Sequence, residues 1–220
     1  ELWQAINWNG CFSTPMDSQS KPPDRVFAEH FESLLNPVRQ PGMISGYEQI
    51  ERQKVLYIPV LDEPLNVSEV EFAIKSMKRN TAPGLYGFPP GVIKMLNDDW
   101  LTLITYLLQK VFSEDYPSTW SVTKCFTIFK KGDRMCPSNY RGISILSVLP
   151  KLYDTVLANR FKLWYHPREE QAGATAGRGC EEQILTVKLL IDIARKTKRQ
   201  LYIAFIDYQN AYDKIGRASW

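Results

Sequence analysis

Leu201-Tyr202-Ile203-Ala204-Phe205-Ile206-Asp207-Tyr208-Gln209-Asn210-Ala211-Tyr212-Asp213 is the stretch whose reading decides the fold. Every residue from Leu201 to Ile206 is apolar or aromatic, the composition of a β-strand covered on both faces. Asp207 ends the run. A charge left in such a core would cost several kcal/mol unless it is paired or coordinated. An Asp at this boundary therefore meets a metal, a cation or solvent, or it caps the turn or helix that follows. The residues alone leave these readings open.

Around this stretch lies a chain of 220 residues, 44% hydrophobic and 23% charged, which is long enough to bury a sizeable core. No apolar run approaches the length of a membrane span, and Glu1-Leu2-Trp3-Gln4-Ala5 has neither the basic start nor the small-residue cleavage site of a signal peptide. The expectation is an intracellular chain, in the nucleus or cytoplasm, with no membrane partner. Its first residue is not Met, so it reads as a piece of something longer. Cys11, Cys125, Cys136 and Cys180 form no C-x-x-C, and His30 and His166 lie near none of them at ligand spacing, which points away from zinc and from a disulfide framework. The net charge of +3 hides an asymmetry. Residues 1 to 123 carry 10 Lys and Arg against 15 Asp and Glu, whereas residues 124 to 199 carry 15 against 7. The second part is a candidate polyanion-binding surface, because phosphate backbones attract such charge through Coulomb forces and counterion release. Solvated helix faces carry similar charge.

Upstream, residues 1 to 23 mix aromatics with Gly, Ser and Pro and read as a linker. Phe27, Phe31, Leu34 and Leu35 recur at helical spacing from Asp24 to Leu35, and Asn36-Pro37 closes that helix. Proline and glycine break residues 37 to 66 into irregular structure. Ser68 with Glu71 reads as a capping box, followed by Val70, Ala73, Ile74 and Met77 on one helix face. Thr81 to Pro90 is a turn-rich loop, and Val92 to Leu96 and the stretch from Leu101 to Phe112 are two helices expected to pack together. Trp120 to Phe129 and Tyr140 to Leu146 read as a strand pair, a basic hairpin with a tight turn at Lys130-Lys131-Gly132-Asp133. Leu149 to Phe161 and Ile184 to Ala194 mark two further helices before the final strand.

In this order the segments resemble the reverse transcriptases of non-LTR (LINE-type) retrotransposons. The resemblance rests on A-P-G-x-x-G at Ala82 to Gly87, P-x-x-W at Pro117 to Trp120, F-K-K-G-D at Phe129 to Asp133, N-Y-R-G-I-S at Asn139 to Ser144, Q-x-G-x-x-x-G-R at Gln171 to Arg178, and F-I-D-Y-x-x-A-Y-D at Phe205 to Asp213. Two positions depart from the family. It usually has an acid where Tyr86 stands and an aromatic where Ala174 stands, substitutions that hint at a decayed element copy. The family's second palm motif, a Tyr-x-Asp-Asp turn with two more carboxylates, has no counterpart before residue 220.

The resemblance implies an α+β fold: right-hand polymerase fingers with a truncated palm. Its divisions are the linker 1–23, a helical lead-in 24–80, a fingers region 81–200 and the first palm strand 201–220. It implies an RNA template, a DNA primer and deoxynucleoside triphosphates as partners. In the full-length parent it implies Mg²⁺ (or Mn²⁺) in a two-metal phosphoryl transfer to the primer 3′-OH. Asp207 would be the catalytic, metal-binding carboxylate. Lys130 and Arg141 would meet the triphosphate, since Lys supplies a point charge and Arg a bidentate fork. Tyr212 would lie beneath the sugar of the incoming nucleotide. Gln171, Gly173 and Arg178, with Gly177, would meet the template backbone, where glycine permits close approach. Asp213 reads as structural, and Arg195, Lys196, Lys198 and Arg199 as a basic helix end. One carboxylate cannot hold two metals, so the 220-residue chain alone is expected to be inactive. The alternative is a non-catalytic, nucleic-acid-binding remnant of a degenerate element copy.

Overall fold

A computed structural model describes residues 21–36 and 57–208. These fall into two compact units, one ending at Trp164 and one beginning at Tyr165.

In the first unit the chain alternates polar caps with apolar helix faces. Helix α1 (Asp24–Leu35) has the bounds its spacing predicts, and α2 (Pro59–Asp62) is a single turn in the Pro-rich segment. Helix α3 (Val67–Ser76) is capped by Asn66, whose side chain accepts from the Glu69 N–H at 3.0 Å while the Glu69 carboxylate accepts from the Asn66 N–H at 3.0 Å. The capping box expected at Ser68 and Glu71 is thus two residues earlier. Helix α4 (Pro90–Ile93) is short, and α5 (Asp98–Ser113) begins with Asn97 accepting from the Trp100 N–H at 3.2 Å. Asp98 and Asp99 sit in its first turn, where the helix dipole favours anions. Helix α6 (Val148–Trp164) completes the set.

The apolar faces meet in one core. Val70, Ala73 and Ile74 of α3, Ile93 of α4, Ile104 and Leu108 of α5, and Leu152 and Val156 of α6 are all buried there, with Leu65 and Trp120. Each large aliphatic in such a place contributes about 1.5–3 kcal/mol by leaving water. The expectation that the helices after Pro89 share a core therefore holds.

Strands β1 (Lys124–Phe129) and β2 (Tyr140–Ile145) pair antiparallel, with Phe129 opposite Tyr140 and Lys124 opposite Ile145. The residues before Lys124 are not strand: Ser118–Ser121 is a 3-10 turn that buries Trp120 in the helical core. The connection runs from Lys130 to Asn139 and is longer than the tight turn read from the sequence.

The second unit has one regular element among its described residues, α7 (Cys180–Thr197). It ends on Lys198 in the left-handed region (φ 51°), with Arg195 and Lys196 in its last turn, which suits the negative helix end. No residue of α7 is buried. Mixed α and β structure is observed, as expected. The buried strand at 201–206 is not: residues 201–208 carry no strand pairing and are exposed, Phe205 at 85% and Ile206 at 79%. A strand is a paired state, and the two strands among the described residues pair with each other. An apolar run records the tendency to be covered and cannot supply the partner.

Candidate nucleic-acid interface

The hairpin gathers the basic residues that the sequence singled out. Its two faces are set by the register. Tyr140 and Gly142 look toward α1: the Tyr140 ring meets Phe27 edge-on at 4.8 Å, and a Cβ on Gly142 would lie 2.9 Å from the Phe31 ring. Glycine is what allows the helix this close. The opposite face carries Lys124, Phe126 and Ile128 of β1 with Arg141, Ile143 and Ile145 of β2, because side chains alternate along paired strands. The Lys130 N–H donates to the Asn139 carbonyl at 2.8 Å, carrying the ladder one step further, so Lys130 continues the Arg141 face. Both Lys130 and Arg141 are exposed.

The connecting loop is braced from within. Asp133 accepts from the Met135 N–H at 2.9 Å, the Asn139 amide donates to the Asp133 carbonyl at 2.9 Å, and the Tyr140 hydroxyl donates to the Arg134 carbonyl at 2.9 Å. Gly132 turns with φ +95°, a conformation that L side chains rarely adopt, and a Cβ there would meet the Asn139 amide at 2.8 Å. The Arg134 guanidinium lies over the Phe129 ring at 5.0 Å. The F-K-K-G-D and N-Y-R-G-I-S motifs thus build one rigid basic hairpin.

The second unit holds the other predicted contacts. The Gln171 amide donates to the Gly173 carbonyl at 2.9 Å, Thr175 returns to the Gln171 carbonyl at 2.9 Å, and Gly177 turns with φ 75°. Arg178 is engaged locally, through an ion pair with Glu182 and a 2.9 Å bond to the Glu169 carbonyl. Asp207 is exposed in the segment 201–208, which carries no strand pairing. Tyr212 and Asp213 lie outside the described residues. Among the described residues no group of three His, Cys, Asp or Glu could hold a metal ion.

Sequence reasoning missed Arg160. This α6 residue is 4% exposed and spends all its N–H donors: Nε and Nη2 grip the Glu69 carboxylate at 2.9 and 2.8 Å, Nη1 reaches the Leu61 and Glu63 carbonyls at 3.3 and 2.5 Å, and Nη2 reaches the Pro64 carbonyl at 3.0 Å. The hydrogen bond from Arg160 holds the Glu69 carboxyl below its ordinary value of 4.5, against the opposing effect of burial. Nothing local marks it, since its partners lie 91 to 99 residues earlier. Further along α6 toward its start, burial lowers the Lys151 ammonium from its ordinary 10.5, and the charge of Lys78 adds to the effect.

No protein-family model matches the chain. Curated relatives do. It is 26% identical over 213 residues, 93% of this chain, to a probable RNA-directed DNA polymerase from transposon BS of Drosophila melanogaster. It is 26% identical over 156 residues, 71% of this chain, to the Pol polyprotein of the R2 retrotransposable element of Popillia japonica. It is 24% identical over 199 residues, 86% of this chain, to the RNA-directed DNA polymerase from mobile element jockey of Drosophila melanogaster. The chain is thus similar, at 24–26% identity, to the RNA-directed DNA polymerases of non-LTR retrotransposons. It spans about a fifth of the length of those relatives, 22%, 21% and 22% of the three named. Among the described residues no helix is long and apolar enough to cross a membrane.

Proposed function

We propose that this chain is the fingers region and first palm segment of an RNA-directed DNA polymerase, which in its full-length parent adds deoxynucleotides to a primer 3′-OH on an RNA template. The observation that carries the reading is the placement of Lys130 and Arg141, both exposed, on one face of the hairpin while α1 packs the other. Such a face offers a fork and a point charge to a triphosphate. Gln171, Gly173 and Arg178 approach the template backbone, Arg178 by exchanging its Glu182 partner for phosphate. Tyr212 lies under the nucleotide sugar.

Asp207 supplies one hard oxygen ligand of the kind Mg²⁺ takes. The described residues bring together no second carboxylate for a two-metal centre. The metal, when bound, neutralises charge developing on the transferred phosphoryl group. This chain's own residues bind and orient the nucleotide.

The test is Arg141→Ala in the polymerase completed with the rest of its palm. Losing a charge-assisted contact of about 1.5–3 kcal/mol should lower kcat/KM for deoxynucleotides by on the order of 10²-fold, with primer–template affinity unchanged. Template binding that collapses while nucleotide use is spared would place Arg141 on the template instead.

A further inference from the structure

The A-P-G-x-x-G loop does more than turn. Its Gly84 carbonyl accepts from the Gly87 N–H at 3.2 Å, so Leu85 and Tyr86 form the corner of a tight turn. Gly84 itself is pressed on the residue before α6: a Cβ there would lie 2.5 Å from the Ser147 backbone. Between the turn and the start of α6 is a cavity of ≈ 220 Å³ lined by Gly84, Tyr86, Phe88, Trp120, Ser147 and Pro150, among others.

Three properties of this cavity point to one class of occupant. Tyr86 and Phe88 are 54% and 61% exposed although they line an apolar hollow, so two aromatic rings stand ready to stack, and the buried Trp120 lines the hollow from the core side. Ser147 is 6% exposed, and its hydroxyl is buried without a hydrogen-bond partner. Lys151, half-buried, follows one turn along α6 from Ser147. An aliphatic ligand would leave the Ser147 hydroxyl unsatisfied, and a bare anion would find an apolar lining. A nucleobase has a π-face for the rings and edge donors and acceptors for the hydroxyl, and the phosphate it carries suits a cation such as Lys151, one turn further on.

We infer that the cavity between the Gly84–Gly87 turn and the start of α6 receives one unpaired base of a single-stranded nucleic acid, stacked on Tyr86 and Phe88 and hydrogen-bonded to Ser147. The inference rests on the nucleic-acid reading proposed above and names a base subsite within it.

The experiment measures binding of the full 220-residue chain to fluorescein-labelled oligouridine and to an abasic strand of equal length, across a salt series, by fluorescence anisotropy. The unmodified chain should bind both strands with the same salt slope and hold the base-bearing one more tightly. Tyr86→Ala and Phe88→Ala, both at exposed side chains, should each weaken oligouridine binding by about 5- to 150-fold and leave abasic binding and the salt slope unchanged. Ser147→Ala should weaken oligouridine binding by about two- to tenfold. Variants that match the unmodified chain on oligouridine, or that lose both strands equally, overturn the base subsite and leave the proposed function standing. A chain that binds neither strand removes both.

Discussion

Replacing Arg160 by alanine takes away the side chain whose hydrogen bonds tie α6 to the segment entering α3. The change strands the Glu69 carboxylate and three backbone carbonyls, at Leu61, Glu63 and Pro64, and opens space beside Phe112, over whose ring the guanidinium sits at 5.6 Å. Removing one partner of a buried pair costs about 3–5 kcal/mol. The Glu69 side chain is 30% exposed, so water can return to it, which places the expected loss at the lower end, about 3 kcal/mol. That is a large share of the about 5–15 kcal/mol that holds a domain together. Urea unfolding followed by far-ultraviolet circular dichroism is the assay. With a slope of about 1–3 kcal/mol/M, the midpoint should fall by about 1–3 M. Arg160→Lys should recover only part, because an ammonium has three donors where the guanidinium has five. A midpoint shift worth less than about 0.5 kcal/mol, the size of an ordinary surface change, would show that Arg160 is not holding this junction together.

The same pair sets an acid limit. Glu69 has a depressed carboxyl pKa in the fold, so its stabilising contribution is present above the ordinary value of 4.5 and is lost as pH falls through the lower folded value. Urea midpoints recorded below pH 4.5 should therefore drop in the parent chain, and Glu69→Gln should flatten that drop; parallel curves for the two proteins would contradict it. Gly84→Ala should cost about 1–3 kcal/mol, because its Cβ would collide with the Ser147 backbone, which cannot swing aside. Gly87→Ala meets nothing within 4 Å and should cost only about 1 kcal/mol, for its φ of +76°. Equal effects of the two in thermal unfolding would remove the case for a close approach at Gly84.

What could be read in advance follows from the range of the forces involved. Helix α1 has its predicted bounds because Phe27, Phe31, Leu34 and Leu35 on one face, closed by Asn36-Pro37, are local signals. The capping box of α3 was misplaced because two overlapping pairs, Asn66 with Glu69 and Ser68 with Glu71, fit the same pattern. The structure selects the first, in which Glu69 also receives Arg160 from 91 residues away. The hairpin was legible in its strands and not in its connection, where Asp133, Asn139 and Tyr140 brace a longer loop through side-chain bonds that no turn rule describes. The run at 201–206 was legible as apolar only. Coverage of a strand belongs to its neighbours, and the described residues supply none. Of the site, Lys130 and Arg141 were read from motif resemblance, while their shared face required the register.

The proposed function gives this chain the nucleotide-binding hairpin and one metal-binding carboxylate of a polymerase. The most direct measurement is primer extension on an RNA template by the completed polymerase carrying Asp207→Asn, with RNA affinity measured in parallel. An amide keeps the shape of the side chain and removes the charge a divalent cation requires. Extension should fall to background with RNA affinity unchanged. Extension at the parent rate would contradict that expectation and return Asp207 to the role of a cap.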